Sequence, residues 1–148
     1  MDRQTAFITH WLEKSLALLG AALCLIITSV IWRSVSLYQP MWPLPALYFI
    51  EMVVLSLMSA FLFMHGHPFH GYVLWGTVGV LITVVVLGSL SVGSFYLPVA
   101  LTFAILAMLS DVRNKQPILA HLGVCVIACL TQAAVMFAAV GLSSLGMF

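Results

Sequence analysis

The sequence predicts an all-α integral membrane protein: a helical bundle of five transmembrane helices with no soluble domain. Three observations carry this expectation. Of 148 residues, 64% are hydrophobic and 6% are charged, too little polar material to cover a water-soluble core of that size. The mean hydropathy of +1.19 points the same way. The run from Tyr72 to Ser110 contains no acid, base or histidine, and as one helix it would reach roughly 58 Å at ~1.5 Å per residue, about twice the ~30 Å hydrocarbon thickness. It must fold back and cross twice.

Taken in order, residues 2–14 place Phe7, Ile8, Trp11 and Leu12 at helical spacing among Arg3, Glu13 and Lys14, which predicts a short interfacial helix leading into the first span. That span covers about residues 15–31. It is too long for a signal-peptide core, and Leu23 stands where a lipoprotein-type cleavage before Cys24 would need a small residue, so the segment is expected to be retained. Trp32 and Arg33 mark its boundary. Residues 34–44, with two prolines, Tyr38 and Trp42, read as an interfacial loop. The second span runs from Pro45 to about residue 64 and ends at the polar turn His65 to Gly71.

The long apolar run supplies the third and fourth spans, about 72–90 and 95–110. Gly88 to Ser94 is the expected reversal, with Ser94 as helix cap and Pro98 in the first turn, where its missing N–H is not needed. A re-entrant segment at the same place would leave four crossings instead of five. Asp111 to Pro117 reads as the most hydrophilic loop, and the fifth span covers about 118–140 with a short apolar tail after it. There is no internal repeat and no linker, so residues 1–148 are treated as one domain. Trp75, Gly76 and Gly79, together with the small pairs Ser56/Ala60 and Gly88/Ser89, offer flat strips for helix contact.

With five crossings, Arg3, Lys14, Arg113 and Lys115 share one face and Arg33 lies on the other, so the N-terminus is expected in the cytoplasm. Short loops suggest a bacterial inner membrane. The five Lys and Arg are dispersed and the net charge is +1, so neither nucleic acid nor a polybasic lipid anchor is indicated. Cys24, Cys125 and Cys129 fall inside spans without a Cys-x-x-Cys and read as small packing residues.

Glu51 is the one acid well inside an expected span, roughly 9 Å into the second helix at ~1.5 Å per residue. It should face inward, either as a titrating proton or cation site, or tied to Arg33, Tyr48 or Tyr38 at the boundary; the second is favoured because a carboxylate near a span end can reach water. His65, His67 and His70 form H-x-H-x-x-H, a spacing that invites zinc or copper. They lack a fourth ligand, and histidines are ordinary interfacial residues, so no metal and no cofactor is expected. Bis-histidine haem ligation would need histidines at matching depth, whereas His10 and His121 sit near span ends. Gln132 with Thr131 could line a polar passage but reads better as a hydrogen bond between helices. Met52, Met58, Met64 and Met108 read as packing.

No Ser-His-Asp set, paired acids, phosphate loop or Rossmann pattern is present, which weighs against an enzyme. The first reading is therefore a non-enzymatic accessory subunit or oligomeric structural component of a membrane complex, with the lipid bilayer and other membrane subunits or its own copies as partners. The alternative is a small oligomeric transporter or proton-coupled channel using Glu51, with Gln132 and Thr131 as lining.

Overall fold

A computed structural model describes residues 3–36, 44–89 and 92–144. Among these residues the chain forms five α-helices: α1 (Arg3–Ser36), α2 (Leu44–Met64), α3 (His70–Leu87), α4 (Leu97–Asn114) and α5 (Ile118–Ser144). All five are long and apolar enough to cross a bilayer, and no β-strand occurs among the described residues. The protein is a multi-pass helical membrane protein, and its third and fourth apolar segments each form a helix long and apolar enough for a full crossing.

Helices α1, α2, α3 and α4 close a ring in which each touches the next and α4 returns to α1, while α5 leans on the outside of α3. The interior of the ring is filled by Tyr96, Phe103, Met52, Leu74, Leu81 and Leu106, all fully buried. Backbones approach closely where small residues permit it, as expected when packing rather than water exclusion drives association in lipid. Ala17, Ala21 and Cys24 of α1 are buried, as are Ser56 and Ala60 of α2. At Gly79 of α3 a Cβ would lie 2.4 Å from the Cys125 carbonyl oxygen and 2.9 Å from Ala128 Cβ, so only glycine admits α5 at this distance. Gly76 has nothing within 4 Å of the same position and is not part of that contact.

Among the described residues, each reversal has a local cause. Helix α2 ends at Gly66, whose φ of 63° is left-handed. His67 N–H then bonds the Leu62 carbonyl at 3.1 Å and Gly66 N–H that of Phe63 at 3.1 Å, which closes the helix by the usual glycine motif. Lys115 does the same for α4 with φ 50°, and Gln116 N–H reaches the Asp111 carbonyl at 3.1 Å. Between α3 and α4, Gly93 N–H bonds the Gly88 carbonyl at 2.8 Å, so the expected Gly88 to Ser94 reversal occurs where two glycines meet face to face.

Three expectations change. The short interfacial helix is not separate: with no proline or glycine before Gly20, α1 runs unbroken from Arg3 into the span. Ser94 does not cap α4; it lies in a short 3₁₀ turn (Gly93–Tyr96) that precedes the helix, and α4 has no side-chain cap. Pro98 does occupy the first turn of α4. Asp111 to Pro117 is not all loop, because α4 continues through Asn114 and buries Asp111. Tyr38, Trp42 and most of the first loop, and residues 145–148 of the tail, lie outside the described residues.

Candidate functional site

Two groups of polar side chains sit inside this apolar bundle. The first joins α2 to α5. Gln132 Nε2 donates to Glu51 Oε2 at 2.9 Å, with Gln132 buried and Glu51 half-buried. The sequence singles out both residues but separately, and the structure brings them together. Tyr48, one turn before Glu51, lies within electrostatic reach of the carboxylate. Thr131 faces outward from α5 and Arg33 is exposed at the far end of α1, so neither stands beside Gln132 in a common lining.

The second group lies at the opposite end of the bundle, where α1 begins, α2 meets α3 and α4 meets α5. Asp111 is 2% exposed and His121 is 2% exposed. The carboxylate accepts the Trp75 indole N–H at 2.8 Å and His121 Nδ1–H at 2.9 Å, so one acid holds α3, α4 and α5 together. Tyr72 packs edge-on against the His121 ring with centroids 4.7 Å apart. Room for that ring comes from Gly71, where a Cβ would lie 3.0 Å from His121 Cε1. Beside it, His70 Nδ1–H donates to the His67 carbonyl at 2.7 Å, and His70 Nε2 meets Ser110 Oγ at 3.1 Å. Arg113 of α4 forms an ion pair with buried Glu13 of α1. Every helix except α2 thus contributes a polar side chain to this end.

The three turn histidines do not converge. His65 Nδ1–H bonds the Phe61 carbonyl of its own helix at 2.9 Å, His67 is exposed, and His70 turns inward to Ser110. Among the described residues, no group of three or more His, Cys, Asp or Glu is placed to hold a metal ion. Deeper in the ring, Ser59 and Thr77 hydroxyls share a hydrogen bond of 2.7 Å, and Thr28 and Tyr96 one of 2.8 Å.

Asp111, His121 and Trp75 were not singled out together by the sequence, although a signal was present. Asp111 and His121 are equidistant from Gln116 at the apex of a tight antiparallel helix pair, and such residues face one another across the hairpin. Chemically, a carboxylate holding an imidazole Nδ1–H fixes the ring's orientation, and here the Trp75 and Tyr72 side-chain contacts of the pair also run between helices. Fold and site together define an all-α multi-pass membrane bundle tied by intramembrane polar pairs. No family model, no curated protein and no solved structure matches the chain.

Proposed function

We propose that this is a non-enzymatic membrane protein that works through helix association, as an accessory subunit or a self-assembling structural component of a membrane complex. The observation that carries the reading is the outer face of α5. Only 11% of its apolar window is buried, against 50% for α3 and α4. On that face Ala120, Gly123, Ile127, Thr131, Ala134, Ala138 and Gly141 recur at spacings of three and four, all exposed. At ~100° per residue they fall in one stripe, nearly opposite the Cys125 and Ala128 face that packs on α3. Bulky Leu119, Leu130 and Phe137 flank one side of it and Val135 and Leu142 the other. Ile127 is the one large side chain in the stripe; beyond it Thr131, Ala134, Ala138 and Gly141 form a small-residue seam between ridges, the shape that lets a second transmembrane helix approach closely.

Supporting a structural role for the interior, the polar groups of the bundle are matched largely to one another: Glu51 to Gln132, Asp111 to Trp75 and His121, Ser59 to Thr77. The location proposed is a bacterial inner membrane, with the end bearing Asp111 and His121 in the cytoplasm, because Arg3, Lys14, Arg113 and Lys115 gather there. The test is subunit counting by single-molecule photobleaching in liposomes. The native chain assembles beyond a monomer, and the double substitution Ala134→Leu with Ala138→Leu, which fills the seam without touching α3, returns it toward monomer. An unchanged subunit count in the double variant would remove the reading. The transport alternative rests on Glu51 lying inside a span. Glu51→Gln separates the two, since a structural carboxylate leaves no pH-dependent flux to lose in proteoliposomes.

A further inference from the structure

Between α1 and α2, toward the end where α1 begins, lies an open cleft of about 450 Å³. Its lining is apolar: Leu18 and Ala21 from α1, and Leu57, Ala60, Phe61 and Met64 from α2. The two alanines are 5% exposed and form the floor, while Leu18, Phe61 and Met64 stand at the lips. The register of the pair is set deeper in the bundle, where Cys24 Sγ lies 3.6 Å from the Met52 carbonyl oxygen. The lining sets the level at the mouth: Leu18 shares the cleft with Phe61 and Met64, and one turn beyond Leu18 and Phe61 along the two antiparallel helices stand Lys14 and His65. Lys14 lies on the same stripe of α1 as Leu18 and Ala21, because positions four and seven apart share a helix face.

Lys14 is half-buried and differs from its neighbours in one respect. The nearby ion pair is made by Arg113 with Glu13, and Lys14 makes no hydrogen bond or ion pair among the described residues. Just past Met64 at the end of α2, the His65 ring is tilted against Phe61 with ring centroids 4.1 Å apart, and its Nδ1–H is taken by the Phe61 carbonyl, which leaves Nε2 for a partner outside its helix. A cation and an imidazole therefore stand at the membrane boundary above an apolar slot that descends ~10 Å into the hydrocarbon, from Lys14 to Ala21 at ~1.5 Å per residue.

We propose that this cleft is a binding site for one anionic phospholipid, with an acyl chain lying between Leu18, Ala21, Leu57 and Phe61 and its phosphate held by Lys14 and His65. The charge complementarity selects the occupant: a second apolar helix would leave the Lys14 ammonium without a counter-charge, whereas a lipid supplies the chain and the anion in one molecule, with the spacing the cleft presents. A single lysine above a shaped slot differs from a polybasic patch, since recognition needs both parts. The site is separate from the outer face of α5 and does not depend on it.

Native mass spectrometry of the detergent-purified chain, titrated with phosphatidylglycerol and separately with phosphatidylethanolamine, tests the assignment. The native protein retains one phosphatidylglycerol about five-fold better than phosphatidylethanolamine, the size expected for one lysine near a phosphate. Lys14→Gln abolishes the preference and Lys14→Arg keeps it. Leu18→Trp, which fills the lip from an exposed position, lowers retention of both lipids. Equal retention of the two lipids by the native chain, a preference that survives Lys14→Gln, or phosphatidylglycerol retention that Leu18→Trp leaves unchanged would each overturn it.

Discussion

Replacing Asp111 by alanine is the sharpest perturbation of the bundle's polar end. The side chain accepts two N–H groups, from Trp75 at 2.8 Å and His121 at 2.9 Å, and the donors are 5% and 2% exposed. Removing the acceptor leaves both donors without their partner, at about 1–3 kcal/mol each where water cannot replace it. Interhelical hydrogen bonds in membranes average less, about 0.6 kcal/mol with a maximum near 1.7, because the membrane-embedded unfolded chain finds other partners. Weighing these, Asp111→Ala should destabilise the bundle by about 2–4 kcal/mol, and Asp111→Asn, which keeps one acceptor oxygen, by roughly half as much. The assay is unfolding by SDS titration in mixed micelles, followed by far-ultraviolet circular dichroism. Trp75→Phe completes a double-mutant cycle, with a coupling to Asp111→Ala of about 1 kcal/mol or more. A loss under about 0.5 kcal/mol for Asp111→Ala, or additive single effects, would refute the reasoning that this acid clamps three helices.

The remaining predictions concern helix contact and charge. Gly79→Val should weaken the α3–α5 contact by about 1–3 kcal/mol in the same titration, since its Cβ meets backbone oxygen at 2.4 Å, whereas Gly76→Ala should be close to neutral. Arg113→Ala removes the cation from Glu13, 2% exposed, and should cost about 1.5–3 kcal/mol, with Arg113→Lys recovering part of it. Gly93→Val should block the α3–α4 reversal, because a Cβ there would lie 2.3 Å from the Val84 carbonyl oxygen; its readout is loss of folded protein on expression. Glu51→Gln keeps an oxygen acceptor for Gln132 and should change stability by less than about 1 kcal/mol.

Hydropathy made the spans legible because lipid demands unbroken apolar runs, and Gly88, Gly93 and Pro98 marked the reversal because few other residues allow one there. The start of α1 was less legible. Arg3, Glu13 and Lys14 suggest a surface segment by composition, yet nothing between them breaks a helix, so backbone continuity prevailed over polarity. Asp111 was hidden for the opposite reason: it adjoins Arg113, Asn114 and Lys115 and reads as loop, but its position on α4 turns it inward while Arg113 reaches α1. Glu51 and Gln132 were visible one at a time. Their pairing depends on how α5 lies beside α2 and α3, a long-range arrangement that no local pattern specifies.

The central claim is an odd number of crossings, with the His65–Gly71 turn and the α4–α5 turn on one side of the membrane and the α3–α4 reversal on the other. Single cysteines at Gly66, Gln116 and Ser89, introduced one at a time into a chain with Cys24, Cys125 and Cys129 replaced by alanine, can be labelled in intact cells with a membrane-impermeant maleimide. Ser89→Cys should label from outside, and Gly66→Cys and Gln116→Cys only after permeabilisation. Labelling of Ser89→Cys and Gln116→Cys from the same side would contradict the five-span bundle directly.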